Sequence, residues 1–158
     1  MLARALGLAA LVVVLDQASK AAVLAAVGSG PRVVEVTGFL NLALTWNRGI
    51  SFGLLSGNAA AWQPWLLSGF ALAVCVGLLV WLVRARLSLL PGLGVGLIVG
   101  GAVGNVIDRL RFAAVVDFVD VHAGGWHWPA FNVADSAITL GVAGLLIDAV
   151  LRGSGGRR

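Results

Sequence analysis

The sequence predicts a mainly α-helical membrane protein with four transmembrane helices and a few short strands. Apolar residues make up 59% of the 158 residues, and charged residues make up only 11%. Soluble domains usually carry about 25% charged residues. Four apolar runs, about 2–27, 59–83, 87–107 and 135–151, approach the length that crosses a bilayer, about 20 residues. A chain of this length is expected to form a single domain, residues 1–158.

The first apolar run has some features of a cleavable signal peptide, since Arg4 precedes apolar and then small residues. The run continues past Asp16 and Lys20 to Val27, which favours a membrane span. Asp16 and Lys20 are four residues apart and share one helix face. They form either an ion pair near the membrane edge or a pair that braces a site on the outer side.

Residues 28–58 are predicted to leave the helix and form two short strands, Val33–Val36 and Phe39–Trp46, joined by a turn at Thr37 and Gly38. Strict alternation puts the even-numbered apolar residues of the second strand on one side, and Asn41, Ala43 and Thr45 on the other. We expect the apolar side to face lipid or a substrate chain.

The second strand runs into the segment TWNRGISFG, from Thr45 to Gly53. Asn47 and Gly49 both tolerate a positive φ and therefore suit a tight turn. Because Arg48 is adjacent, Asn47 could equally hold a substrate backbone.

Glycine recurs at every fourth position of the third span: Gly92, Gly96, Gly100 and Gly104. Such a row of small residues lets another helix pack closely. Polar side chains follow at Asn105, Asp108 and Arg109. Asn105 and Arg109 are one turn apart and share a helix face.

Four of the seven acidic residues lie between Gly100 and Asp135. Residues 112–122 are predicted to be extended, so Asp117 and Asp120 should point to opposite sides. Asn132 precedes the fourth span and is a good N-cap, and Asp135 in the first turn is favoured by the helix dipole. Capping is compatible with catalysis, because a helix start holds a carboxylate in a fixed place.

The basic residues indicate the orientation in the membrane. Arg4, the 84–86 loop and the C-terminal arginines lie on one side of a four-span chain, which the positive-inside rule makes cytoplasmic. Segments 28–58 and 108–134 are then extracytoplasmic, and the acidic cluster lies at the outer leaflet.

The polar residues bear on several kinds of chemistry. The sequence shows no basic patch with interleaved aromatic residues, so nucleic-acid binding is not expected. A catalytic thiol is not expected either, because Cys75 has no histidine nearby. A metal site is conceivable from Asp117, Asp120, His122, His127 and Asp135, but no known ligand spacing supports it. A small transporter or proton pathway is the alternative from another class, although the charges gather at one face and no internal repeat is evident. Two carboxyl groups that share one proton are the simplest machinery.

The motifs together resemble those of lipoprotein signal peptidases, the bacterial type II signal peptidases. The matching segments, in order, are DQASK, TWNRGISFG, GGAVGNVIDR, VVDFVD and FNVADS, and they span nearly the whole chain. The resemblance implies an aspartic endopeptidase of the bacterial cytoplasmic (inner) membrane, with both termini cytoplasmic and the active site at the outer face. Such enzymes cleave diacylglyceryl-prolipoproteins before the lipidated cysteine, and the resemblance implies the same reaction here. Substrate and membrane lipid are then the expected partners, no cofactor or metal is needed, and a monomer is expected.

The resemblance also assigns roles to individual positions. Asp117 and Asp135 match the catalytic pair. The residues that match positions shaping the site or holding substrate are Asp16, Lys20, Asn47, Gly49, Asn105, Asp108, Arg109 and Asn132. The family fold implies a small extracytoplasmic sheet, mostly from residues 31–56, and a short surface helix. Ser51 and the short Gly-rich 123–125 loop depart from the family pattern without touching a matched catalytic position.

Overall fold

A computed structural model describes residues 1–27, 33–49 and 62–155 of the chain. Within these ranges the chain forms four helices and four strands. In order they are α1 (Leu2–Val27), β1 (Val33–Thr37), β2 (Leu40–Asn47), α2 (Gln63–Arg84), α3 (Leu89–Phe112), β3 (Val115–Ala123), β4 (Trp126–His127) and α4 (Val133–Gly155). The start of the second predicted span and parts of the 28–58 segment lie outside the described residues, as does Ser51. The described ranges contain no further helix that would match the implied surface helix.

All four helices are long and apolar enough to cross a bilayer, as the sequence predicted. α3 is the central helix, since it is mostly buried and packs against the other three. The outer faces of α2 and α4 expose large apolar side chains such as Phe70 and Val150. A helix with an apolar exposed face suits lipid rather than water.

The glycine row of α3 packs against α1, which confirms its predicted role. A Cβ added at Gly96 would lie 2.7 Å from the Ala5 carbonyl oxygen, and one at Gly100 would lie 2.7 Å from the Ala9 carbonyl oxygen. A Cβ at Gly104 would lie 2.6 Å from Asp16 Oδ2. Only glycine lets the two backbones approach this closely, so the row brings the polar end of α3 against α1.

The strands form one antiparallel sheet in the order β1-β2-β3-β4. β2 shifts register against β3 between Leu42 and Thr45, so Asn41 pairs with Asp120 and Thr45 pairs with Asp117. The bulge reverses the alternation along β2. The predicted strict alternation is therefore wrong, because Asn41 and Thr45 lie on opposite faces of the sheet.

The sheet is attached to the end of α1 by a small apolar cluster. Val23 and Val27 of α1 are buried with Phe118 of β3, and Leu42 and Leu44 pack against them. Leu42 and Leu44 are thus partly covered by α1 and β3, and the expectation that the remainder of this side faces lipid or substrate stays a prediction. The cluster fixes β3 beside the helical bundle.

Two helices extend beyond their predicted limits towards the sheet. α3 continues to Phe112 rather than ending near 107, and Ala113 ends it in the left-handed conformation, with φ 54°. Asp108 and Arg109 therefore lie on the last turns of a helix and not in a loop. α4 begins at Val133, two residues before the predicted start. These extensions bring rigid backbone to the polar cluster.

Candidate active site

Asp117 lies on β3 and is only 2% exposed. Both oxygens accept hydrogen bonds from amide side chains. The Asn132 Nδ2 donates to Asp117 Oδ1 at 2.7 Å, and the Asn47 Nδ2 donates to Asp117 Oδ2 at 3.0 Å. Asn47 is itself held by a turn, because its Oδ1 accepts the Gly49 backbone N–H at 3.0 Å. Asn47 therefore shapes a turn, as predicted, and also contacts Asp117, whereas its role in holding a substrate backbone stays a prediction.

Asp135 lies in the first turn of α4 and exchanges hydrogen bonds with the N-cap. The Asn132 Oδ1 accepts the Asp135 backbone N–H at 2.9 Å, while Asp135 Oδ2 accepts the Asn132 backbone N–H at 3.3 Å. This reciprocal pair is a capping box, with aspartate in the place of the usual glutamate. The Asn105 Nδ2 donates to Asp135 Oδ1 at 2.9 Å. The predicted capping role of Asn132 is confirmed.

Two amide side chains connect the carboxyl groups of Asp117 and Asp135. Asn132 Nδ2 lies 3.2 Å from Asn105 Oδ1, so the chain of contacts runs from Asp117 through Asn132 and Asn105 to Asp135. The two aspartates come from a strand and a helix, and the amides between them fix their relative orientation.

Burial and charge raise the pKa of Asp117 to about 7. Loss of water around the carboxyl is the largest cause, and the negative charge of Asp135 adds to it. The hydrogen bonds from Asn47 and Asn132 and the positive charge of Lys20 act in the opposite direction. The Arg109 guanidinium also lies within electrostatic reach of both carboxyls. Near neutral pH the Asp117 carboxyl is therefore partly protonated.

A buried ion cluster lies directly behind these carboxyls. Lys20 Nζ lies 2.8 Å from Asp16 Oδ2 and 2.7 Å from Asp108 Oδ2. It also donates to Asn105 Oδ1 at 3.2 Å. The sequence left Asp16 and Lys20 as either a membrane-edge pair or a brace, and the cluster brings them together with Asp108 and Asn105.

Gln17 is a polar residue of the same cluster that the sequence reasoning missed. Its Nε2 lies within hydrogen-bond distance of Asp108 Oδ1, at 2.9 Å, and of Asp16 Oδ2, at 3.1 Å. Its position next to Asp16 in an apolar run was a usable signal, since polar side chains within membrane helices usually face protein.

Asp120 belongs to a separate polar group on the other face of β3, as predicted from the strand geometry. Its carboxylate lies 2.8 Å from His127 Nδ1 and accepts from Asn41 Nδ2 at 3.0 Å. The bond with His127 is the largest cause of a lowered pKa of Asp120. The rings of His122 and His127 stack with their centroids 5.0 Å apart. In the described part of the chain no three His, Cys, Asp or Glu side chains are grouped as a metal ion requires.

An apolar cavity of about 470 Å³ opens beside Asp135. Its walls are formed by the segment before α4 and the first turns of α4: Trp128, Pro129, Ala130, Phe131, Asp135, Ser136, Thr139 and Leu140. Asp135 thus lies at the edge of a space suited to apolar ligand groups.

Comparisons with known proteins identify the family. Residues 8–151 match the signal peptidase (SPase) II family. The chain belongs to the signal peptidase II family. It is 50% identical over 145 residues to the lipoprotein signal peptidase of Azoarcus sp. (strain BH72), covering 92% of this chain and 81% of that protein. It is 44% identical over 152 residues to the lipoprotein signal peptidase of Burkholderia multivorans, covering 96% and 90%.

Two solved structures share the fold of this signal peptidase. One is described as a bacterial membrane enzyme structure determined by the in meso method at 2.3 Å resolution. It is 29% identical to this chain, with a TM-score of 0.82, and the match covers 98% of this chain and 91% of that one. A second, at 1.9 Å resolution, is 27% identical, with a TM-score of 0.78 and coverage of 92% and 91%. The chain is therefore a peptidase, and as a multi-pass protein with bacterial relatives it belongs in the inner membrane.

The peptidase brings most of the predicted site residues into one connected group. Asn47, Asn105 and Asn132 contact the two carboxyl groups directly. Asp16, Lys20 and Asp108 form the ion cluster behind them, Gly49 fixes Asn47, and Arg109 acts through its charge. The two carboxyl groups thus lie in one polar network, linked through the amides of Asn132 and Asn105.

Proposed function

We propose that Asp117 and Asp135 form a catalytic dyad that hydrolyses the signal peptides of diacylglyceryl-modified prolipoproteins, cleaving before the lipidated cysteine. Membership of the signal peptidase II family supports the reaction. The observation that favours this dyad is the chain of amide hydrogen bonds joining the carboxyls of buried Asp117 and half-buried Asp135, together with the pKa of Asp117 near 7. No cofactor or metal takes part in the proposed reaction.

In the proposed mechanism the two carboxyls share one proton. The ionised carboxyl takes a proton from water, and the resulting hydroxide oxygen attacks the peptide carbonyl carbon. The protonated carboxyl donates its proton to the carbonyl oxygen as negative charge develops there. When the C–N bond breaks, the amine leaves with the proton first taken from water, and the proton on the former carbonyl oxygen returns to the dyad. The pair ends with one proton, as it began.

The surroundings of the dyad suit a lipid-linked substrate. The apolar cavity beside Asp135 has room for hydrophobic groups of the peptide or its lipid. We assign Asn47, Gly49, Asn105, Arg109 and Asn132 to shaping the site and holding the substrate backbone, and Asp16, Lys20 and Asp108 to supporting them. The whole chain acts as a single domain and a monomer in this proposal.

The orientation in the membrane follows from the same reasoning. Arg84, near the α2–α3 connection, and Arg152, near the end of α4, lie at the opposite end of the bundle from the sheet by helix direction. The positive-inside rule then makes that end cytoplasmic, and both termini with it. The sheet and the dyad lie at the outer face of the inner membrane, where a diacylated cysteine is anchored.

The test is cleavage of a diacylglyceryl-modified test peptide by purified protein in detergent. Asp117→Asn and Asp135→Asn should each abolish cleavage. The elution and the unfolding transition of each variant should match those of the folded wild-type protein. Asp120→Asn is the matched control, because this carboxylate lies on the same strand but faces away from the dyad, and it should cleave normally. Near wild-type cleavage by either dyad variant contradicts the assignment. Metal-reversible inhibition by a chelator would favour a metallo-hydrolase instead.

A labelling experiment tests the orientation. In a Cys75→Ser background, Trp126→Cys places a thiol on the exposed β3–β4 hairpin, and Ala85→Cys places one on the exposed connection after α2. A membrane-impermeant maleimide added to intact cells with a permeabilised outer membrane should label the first variant only. Labelling of Ala85→Cys alone would invert the proposed topology.

A further inference from the structure

The backbone immediately before each dyad carboxyl is held by the buried ion cluster. Asp108 Oδ2, which touches Lys20, also accepts the Val116 backbone N–H at 3.1 Å. Asp16 binds Lys20 through Oδ2 and accepts the Ala134 backbone N–H through Oδ1 at 3.0 Å. Val116 precedes Asp117, and Ala134 precedes Asp135. Both anchors therefore lie one residue away from the reacting groups.

The cluster joins these two anchors through one ammonium group. Lys20 is the only lysine in the chain, and it is 2% exposed, while Asp16 and Asp108 are 0% and 1% exposed. Gln17 adds a second link between the same two carboxylates. Strand β3 and helix α4 are thus connected through side chains of α1 and α3, by ion pairs that meet at Lys20 and hydrogen bonds that meet at Gln17.

From this geometry we infer that Lys20 is a positioning residue, which sets the separation of the Asp117 and Asp135 carboxyl groups by holding Asp108 and Asp16 together. The inference rests on the proposed dyad. Removing Lys20 would leave Asp16 and Asp108 as two buried negative charges that repel each other. Each carries one backbone anchor, so their separation would move β3 and the start of α4 apart.

A second consequence of the same geometry is electrostatic. The charged groups that face Asp117 are Asp135 from α4, Lys20 from α1, and Arg109 from α3, which also carries Asp108. The positive charge of Lys20 lowers the pKa of Asp117. Loss of this charge should raise the apparent pKa values of the pair, and both limbs of the pH–rate profile should move to higher pH.

The experiment compares Lys20→Met with wild type in cleavage of the diacylglyceryl test peptide. We expect kcat to fall by about 100-fold, as is typical when reacting groups are displaced by about 1 Å, while KM changes little. Both limbs of the pH–rate profile should move to higher pH. A brace that acts on the fold alone would lower the yield of folded protein without changing kcat or the pH limbs of the folded fraction.

Two further variants make the result decisive. Lys20→Met with Asp108→Asn leaves no additional unpaired charge and is expected to fold, yet it lacks the ammonium bridge and should keep a low kcat. Arg152→Met is the matched control, because the exposed side chain of Arg152 forms an i,i+4 ion pair with Asp148 at 2.8 Å near the end of α4, far from the dyad. This variant should cleave as wild type.

The outcomes separate the two proposals. If Asp117→Asn still cleaves, the dyad itself is wrong. If Asp117→Asn is inactive while folded Lys20→Met or its double variant has wild-type kcat and pH limbs, only the role of Lys20 is overturned. A double variant that cannot fold would show that the cluster serves to stabilise the fold, and this result would also overturn the positioning role of Lys20.

Discussion

The side-chain amide of Asn132 donates a 2.7 Å hydrogen bond to Asp117 Oδ1, although Asn132 is also the N-cap of the helix that carries Asp135. One fully buried residue therefore serves helix formation and the site at once. Its oxygen caps α4, and its nitrogen orients Asp117. The two functions use different atoms, so substitution can separate them.

We expect Asn132→Ser to keep the cap and lose the donor, since a serine hydroxyl accepts the N-cap hydrogen bond. Asn132→Ala should lose both. Both variants should cleave on the order of 100-fold more slowly, because Asp117 is no longer held in place. The alanine variant should be less stable than the serine variant by about 1 kcal/mol. Kinetics and thermal unfolding in detergent measure the two effects, and equal stability of the two variants would contradict the separation.

Activity should fall as pH rises through about 7, the pKa of Asp117, because the shared proton is lost. The hydrogen bond from Asn47 lowers this pKa. Asn47→Ala should therefore raise the pKa, and the alkaline limb of the kcat/KM profile should move to higher pH. Asn41→Ala is the control, since Asn41 lies on the same strand but donates to Asp120. A limb that moves to lower pH in Asn47→Ala is the contrary result.

Asp120→Asn should change stability rather than catalysis. The pKa of Asp120 is lowered in the folded protein, mainly by the hydrogen bond with His127. Its stabilising effect is therefore present above the unfolded pKa, near 4, and is lost as pH falls through the lower folded value. We expect Asp120→Asn to lower the Tm at pH 7 by about 2–4 °C, which corresponds to about 1 kcal/mol in a domain of this size. The difference in Tm between Asp120→Asn and wild type should shrink below pH 4. A Tm difference that grows below pH 4 would refute the stabilising role of the ionised Asp120.

Gly100→Ala should destabilise the peptidase and reduce its activity. The added Cβ would lie 2.7 Å from the Ala9 carbonyl oxygen and 2.8 Å from Val12 Cβ, so α1 has to move away from α3. Overpacking of this kind typically costs about 1–3 kcal/mol. Gly77→Ala on α2 is the matched control, because a Cβ there meets nothing within 4 Å. Thermal unfolding of both variants, run alongside the cleavage assay, tests the contrast; equal loss in both would exclude close helix packing as the cause.

Hydropathy was sufficient to predict the four helices, because a run of about 20 apolar residues has few stable environments other than a membrane-spanning helix. The order of the motifs was sufficient to predict which polar residues belong to the site. The hydrogen bonds and ion pairs between these residues could not be predicted from the sequence. The contact between Lys20 and Asp108, for example, depends on how closely Gly100 and Gly104 let α1 approach α3.

The course of β2 was the part that periodicity misjudged. A period of two assigns Asn41 and Thr45 to the same face, and one extra residue in the bulge between Leu42 and Thr45 reverses that assignment. No residue in this stretch marks a bulge by its chemistry. The catalytic assignment of Asp117 and Asp135 itself came from the family resemblance, and it stays a prediction until the two variants are assayed.

The anchoring of Ala134 by Asp16 spans 118 residues of the chain. Because synthesis runs from the amino terminus, Asp16 and Lys20 emerge from the ribosome long before their last partner. A nascent chain that stops short of α4 has only one of the two carboxyls and none of the cap that orients it. In the proposed mechanism, proteolytic competence therefore arises only once α4 has been synthesised.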